Sequence, residues 1–121
     1  MAATIAAART QRPRRIVAIF QPHLYSRTQA QAREFGAALA AADVVVVTGI
    51  YPARERAEDF PGVSGLGVAE AAADHGGGRP VAWLPTLADA EAYVRTLQRD
   101  GDLVLTIGAG DVDGLGRALV A

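Results

Sequence analysis

Four short apolar blocks punctuate the chain, and three of the stretches between them carry helical spacing. Arg15 to Phe20 is a β-branched run, apolar on consecutive positions, and Val44 to Thr48 repeats the pattern before Gly49 closes it. Val81 to Leu84 is a shorter block, and Asp102 to Ile107 is the fourth. Strands without polar alternation are those covered on both faces. Between the first two, Arg27 to Ala42 reads as a helix, because Phe35, Ala38, Leu39 and Ala42 recur at the i, i+3, i+4, i+7 spacing of a buried stripe. Thr86 with Asp89 three residues on is a capping signature, and the helix it opens sets Ala90, Tyr93, Val94 and Leu97 on one face. Ala2 to Thr10 is a short Ala-rich helix of good propensity, ended by the basic linker Gln11 to Arg15 with its Pro13. Leu66 to Asp74 is a helix diluted by glycine, and His75 to Gly78 is a turn with His75 in solvent. Asp111 is placed to cap a last helix, Val112 to Val120.

This alternation predicts an α/β, Rossmann-like three-layer domain: a mainly parallel sheet, helices on both faces, right-handed crossovers. Four such strands order as 3-2-1-4 or 2-1-3-4. The first is preferred, because it sets strands one and four side by side and brings the loop after strand one to Gly108-Ala109-Gly110-Asp111 at the topological switch point. At 121 residues the chain is expected to be one domain, spanning 1–121.

Composition narrows the chemistry. The formal net charge is −1 and there is no cysteine, so neither nucleic acid nor a membrane surface is indicated and thiol chemistry is excluded. All twelve basic residues are arginine, which removes any lysine base, Schiff base or P-loop lysine. The cluster Arg9, Arg12, Arg14 and Arg15 reads as a solvated charged face. No G-x-x-x-x-G-K-[ST] loop is present, and the glycines at 108, 110 and 114 miss the dinucleotide spacing by one residue. The two histidines lack metal-ligand spacing. The long polar loop from Ile50 to Gly65 is of the length that is usually functional or mobile.

Phe20-Gln21-Pro22-His23-Leu24-Tyr25-Ser26-Arg27-Thr28 occupies the turn from the first strand into the first long helix. Ser26 with Gln29 fits a capping box, which makes Arg27 the first helical residue. A cation there opposes the helix dipole and calls for an anion. That anion is either a ligand, which helix-start amides also favour, or a carboxylate of the same chain; at least one of Glu55 and Asp111 is expected close enough to hold Arg27.

These motifs resemble those of the C-terminal domain of UDP-N-acetylmuramate–L-alanine ligase, in the Mur ligase family. The stretch from Phe20 to Thr28 is similar to its F-Q-P-H-x-Y-[ST]-R-T signature. Ile50-Tyr51-Pro52-Ala53-x-Glu55 and Gly108-Ala109-Gly110-Asp111 resemble two further motifs in the right order. Two departures stand out: Leu24 sits where many members carry arginine, and Gly49 where an acid is common. The family's UDP-binding N-terminal domain and central ATPase domain have no counterpart here, nor does the D-D-Y-x-H-H-P segment that leads into this domain. The chain is therefore expected to be a piece of a longer, bacterial and cytoplasmic enzyme, inactive alone.

The resemblance implies ATP-dependent joining of L-alanine to UDP-N-acetylmuramate in peptidoglycan precursor synthesis. ATP phosphorylates the lactyl carboxylate, and the alanine amine attacks the acyl phosphate. ATP and Mg2+ are implied mainly on the central domain, with none on this one. It further implies substrate-binding positions at His23, Tyr25, Arg27, Tyr51, Glu55, Gly108, Gly110 and Asp111, with Arg27 on a carboxylate and His23 orienting beside it. No residue of this domain alone is catalytic, and no metal is held. The alternative is a non-catalytic Rossmann-like module that binds a small anion.

Overall fold

The computed structural model describes residues 1–108 and 110–120, with α1 at Ala2–Arg9, β1 at Arg15–Phe20, α2 at Tyr25–Leu39, β2 at Val44–Val47, α3 at Leu66–His75, β3 at Val81–Trp83, α4 at Leu87–Leu97, β4 at Asp102–Ile107 and α5 at Val112–Val120. The four strands form one parallel sheet in the order β3-β2-β1-β4, the order preferred from the sequence. In register, Phe20 lies opposite Val47 on one side and Ile107 on the other.

The two central strands are the Val- and Ile-rich ones, and their burial explains that composition. Ile16 to Phe20 and Val44 to Val47 are all buried. Ile16, Ala18, Phe20, Val45 and Val47 face a core closed by Ile5 and Ala8 of α1, Leu39 of α2, and Val68, Ala69 and Ala72 of α3. Val17, Ile19, Val44 and Val46 face the opposite core, closed by Ala90 and Val94 of α4 and by Val112, Leu115 and Leu119 of α5. Three layers result. The flanking strands β3 and β4 are half-buried along their length.

Helix ends follow the local rules in one case and break them in another. Thr86 Oγ1 accepts the Asp89 N–H at 3.1 Å, as its signature predicts. The expected cap at Ser26 is not formed: α2 starts two residues earlier, with Leu24 at the N-cap, so Arg27 is its third residue rather than its first. The same helix ends at Leu39 and leaves helical geometry at Gln31 (φ −126°, ψ 15°); Ala42 of the predicted stripe is buried in the turn beyond it. In the basic cluster, Arg9 pairs with Asp43 at 2.8 Å and Arg15 with Asp102 at 2.7 Å, so two of the four arginines tie the fold together instead of forming a solvated face. His75 is exposed, as expected, with Nδ1 2.9 Å from the Ala71 carbonyl oxygen.

Candidate functional site

Beyond the carboxyl ends of β1 and β4 the chain makes a cleft of about 230 Å3, lined by Phe20, Gln21, His23, Arg27, Phe35 and Gly108. Each wall has a local cause. The apolar floor is the Phe20–Phe35 pair, with ring centroids 5.4 Å apart at 60°. Gln21, itself buried, continues β1: its N–H donates to the Ile107 carbonyl at 2.9 Å and its Oε1 accepts the Val112 N–H at 3.3 Å. One residue, through its backbone and its side chain, thereby ties both the end of β4 and the start of α5. Gly108 has φ 153°, and a Cβ there would lie 2.8 Å from the Gln21 carbonyl oxygen; glycine is the residue for such a conformation and approach.

His23 is held by a parallel bridge to Tyr51: the Leu24 N–H donates to the Tyr51 carbonyl at 3.0 Å and the Tyr51 N–H to the Pro22 carbonyl at 2.8 Å. The His23 and Tyr51 rings lie 6.0 Å apart. Gly110 lies against the Tyr51 ring and Gln21 Oε1, leaving no space for a Cβ. Leu24, between His23 and the helix, has φ 70° and ψ 135°, a conformation costly for a side-chain-bearing residue that persists only when neighbours over-determine it. Thr28 contributes, donating from its N–H (3.1 Å) and Oγ1 (2.8 Å) to the Leu24 carbonyl.

The predicted partnership of Arg27 is a correction. Among the described residues Arg27 makes no ion pair with Glu55, Asp111 or any other acid. Glu55 turns instead to the start of α2, where Oε1 accepts the Ser26 N–H at 3.0 Å and Oε2 accepts from Ser26 Oγ. Those donors, with the Tyr25 N–H, hold the Glu55 carboxyl below its ordinary range. Asp111 is exposed, and its carbonyl accepts the Gly114 N–H at 3.0 Å as α5 begins. Arg27 is thus an exposed guanidinium at the cleft rim, without an ion pair among the described residues.

Of the eight expected positions, His23, Arg27 and Gly108 line the cleft and Tyr51 and Gly110 back it. Tyr25 stacks on Phe60 with centroids 6.0 Å apart at 10°, and Glu55 caps α2. Ala109, within the Gly108–Asp111 motif, lies outside the described residues. Gln21, Phe20 and Phe35 are contributors that sequence reasoning did not single out for the site. A polar residue directly at the end of an all-apolar strand was the available signal for Gln21.

A larger hollow of about 420 Å3 lies at the opposite ends of the strands, between Arg14, Arg15, Arg99, Asp100 and Asp102. Arg15 and Asp102 there satisfy each other, and open parallel sheets bind ligands beyond the carboxyl ends of their strands. The smaller cleft is the candidate site. It offers a guanidinium unpaired among the described residues, an imidazole and an apolar floor, which suits a small molecule carrying a carboxylate and a short apolar group.

Comparison with known proteins points to one family. A family model described as Mur ligase, glutamate ligase domain, matches residues 1–110. The UDP-N-acetylmuramate–L-alanine ligase of Mycolicibacterium smegmatis is 47% identical over 122 residues, covering 98% of this chain and 24% of the relative. That of Chlorobaculum parvum is 50% identical over 117 residues, 93% of this chain and 24% of the relative. That of Desulforamulus reducens is 47% identical over 118 residues, 98% of this chain and 25% of the relative. The chain therefore spans about a quarter of the length of the relatives it matches.

Proposed function

This chain belongs to the Mur ligase family, and we propose that it serves there as the amino-acid-binding C-terminal domain of an ATP-dependent UDP-N-acetylmuramate–L-alanine ligase. In this reading it is a single domain, 1–121, of a bacterial cytoplasmic enzyme of peptidoglycan precursor synthesis. Its partners are L-alanine, UDP-N-acetylmuramate, and the enzyme's central and N-terminal domains. Among the described residues no helix is long and apolar enough to cross a membrane.

The observation that carries the proposal is the convergence of His23, unpaired Arg27 and Gly108 on one small cleft. Guanidinium presents parallel N–H donors that match a carboxylate, so Arg27 takes the alanine carboxylate and fixes its direction. The Phe20–Phe35 floor receives the methyl group, and His23, steadied by Tyr51, orients the bound molecule. Domain closure then carries the held amine to the activated substrate. Such positioning is worth several kcal/mol of barrier, up to about 7–11 in well-oriented cases.

This chain has no lysine and no G-x-x-x-x-G-K-[ST] loop, and no group of three or more acids and histidines among the described residues is set to hold a metal. In the proposal ATP and Mg2+ are held mainly by the central domain of the enzyme.

The test is phosphate release by the full-length polypeptide. It should require both L-alanine and UDP-N-acetylmuramate, whereas this chain alone should release none. Turnover by the clean isolated chain, or release indifferent to L-alanine, would sink the proposal.

A further inference from the structure

A helix start exposes backbone N–H groups that need acceptors, normally supplied by the N-cap side chain. Leu24, at the N-cap of α2, has no acceptor to offer. The acceptor is Glu55, 29 residues beyond Ser26, whose two oxygens engage Ser26, one on its N–H and one on its hydroxyl. We propose that Glu55 is a positioning residue of the amino-acid site: it caps α2 in place of the missing N-cap and locks together the two loops that present His23, Arg27 and Tyr51. This rests on the proposed amino-acid site, and it gives Glu55 a different task from the substrate contact expected from the motif.

Three observations support the assignment. Glu55 is absent from the cleft lining, whereas the residues on either side of its partner Ser26 include Arg27. A tight turn aims it back at the helix, with the Glu55 N–H on the Pro52 carbonyl at 2.9 Å and Ala53 at φ 53°. Finally, the strained Leu24 is tied directly by the Tyr51 carbonyl and Thr28, and Glu55 secures Ser26 two residues further on. Tyr25 stacked on Phe60 adds an apolar tie between the same two segments.

The carboxylate also occupies the anion-favouring amides of the helix start. An incoming substrate carboxylate finds those amides taken and is left to the Arg27 side chain.

The test uses the full-length polypeptide with Glu55→Ala, Glu55→Gln, Ser26→Ala and the Glu55→Ala/Ser26→Ala double variant. Losing a cap should show as about a fivefold higher KM for L-alanine in Glu55→Ala, with KM for UDP-N-acetylmuramate unmoved. Glutamine still presents an oxygen to the Ser26 N–H and should restore most of the loss. Because Glu55 acts through Ser26, the double variant should be no worse than Glu55→Ala, and added formate should partly rescue Glu55→Ala. Glutamine as damaging as alanine, with additive effects of the two sites, would put the Glu55 charge on the substrate and overturn the proposal. A normal KM with only a lowered melting temperature would overturn it too, leaving a purely structural cap. Should Glu55→Ala fail to fold, Glu55→Gln and Ser26→Ala still give the comparison. Amide exchange read without substrate separates this idea from the function: the Ser26 N–H should exchange slowly in the wild type and in Glu55→Gln. Fast exchange in the wild type would refute the tie even if the enzyme ligates alanine, and slow exchange would support it even if alanine is not the substrate.

Discussion

Replacing Arg27 by lysine in the full-length enzyme keeps the charge and removes the fork. Arg27 makes no ion pair among the described residues and lies exposed at the third position of α2. The folded domain therefore loses no partner, and lysine opposes the helix dipole as arginine does. The stability change should stay within about 0.5 kcal/mol, as for exposed positions without special contacts, which is a melting shift of about 3 °C or less for a domain of this size. Binding is different. One charge-assisted hydrogen bond to the carboxylate is lost, worth about 1.5–3 kcal/mol, and kcat/KM for L-alanine should fall by about ten- to more than a hundredfold. Initial rates and thermal melting on the same preparation decide the matter. A protein that melts several degrees lower with near-normal kinetics would show that Arg27 is a structural residue and not a carboxylate clamp.

Other sites give sharper structural forecasts. Thr86→Ala removes the cap of α4 and should cost about 1 kcal/mol in denaturant unfolding, without changing KM for either substrate. Gly110→Ala forces a methyl into the Tyr51 ring and Gln21 Oε1; it should lower kcat/KM while costing about 1–3 kcal/mol of stability, the usual range for overpacking. Asp102 is held below its ordinary range first by the hydrogen bond from Arg15, burial opposing. Because its folded pKa is depressed, its contribution is complete above the unfolded value of about 3.9 and is lost as pH falls through the lower folded value. A urea titration should show stability falling below about pH 4, and Asp102→Asn should flatten that fall while lowering stability at neutral pH.

What the sequence made legible were features governed by near neighbours in the chain. Consecutive apolar residues in β1 and β2 marked strands covered on both faces, and the polar loop after β1 together with the glycine-bearing loop after β4 identified which strands must adjoin. Thr86 capped as its spacing required, because its acceptor and donor are three residues apart. Ser26 did not, because a carboxylate 29 residues away satisfied the helix start, and no local rule sees that far. The same contact explains the misjudged Arg27 pairing: both Glu55 oxygens are turned to Ser26, which points the carboxylate at the start of α2 and not at the guanidinium. The kink at Gln31 has no sequence signal that we can identify. His23 and Arg27 were legible as cleft-lining residues from their motif, whereas the apolar floor was not, since Phe35 fits a buried stripe equally well.

The most direct measurement is a crystal structure of the full-length enzyme with UDP-N-acetylmuramate, a non-hydrolysable ATP analogue and L-alanine. The alanine carboxylate should lie on two guanidinium nitrogens of Arg27, with the methyl toward Phe20 and Phe35 and Glu55 still on Ser26. Alanine bound away from this cleft, with Arg27 paired to a protein carboxylate, would contradict the account.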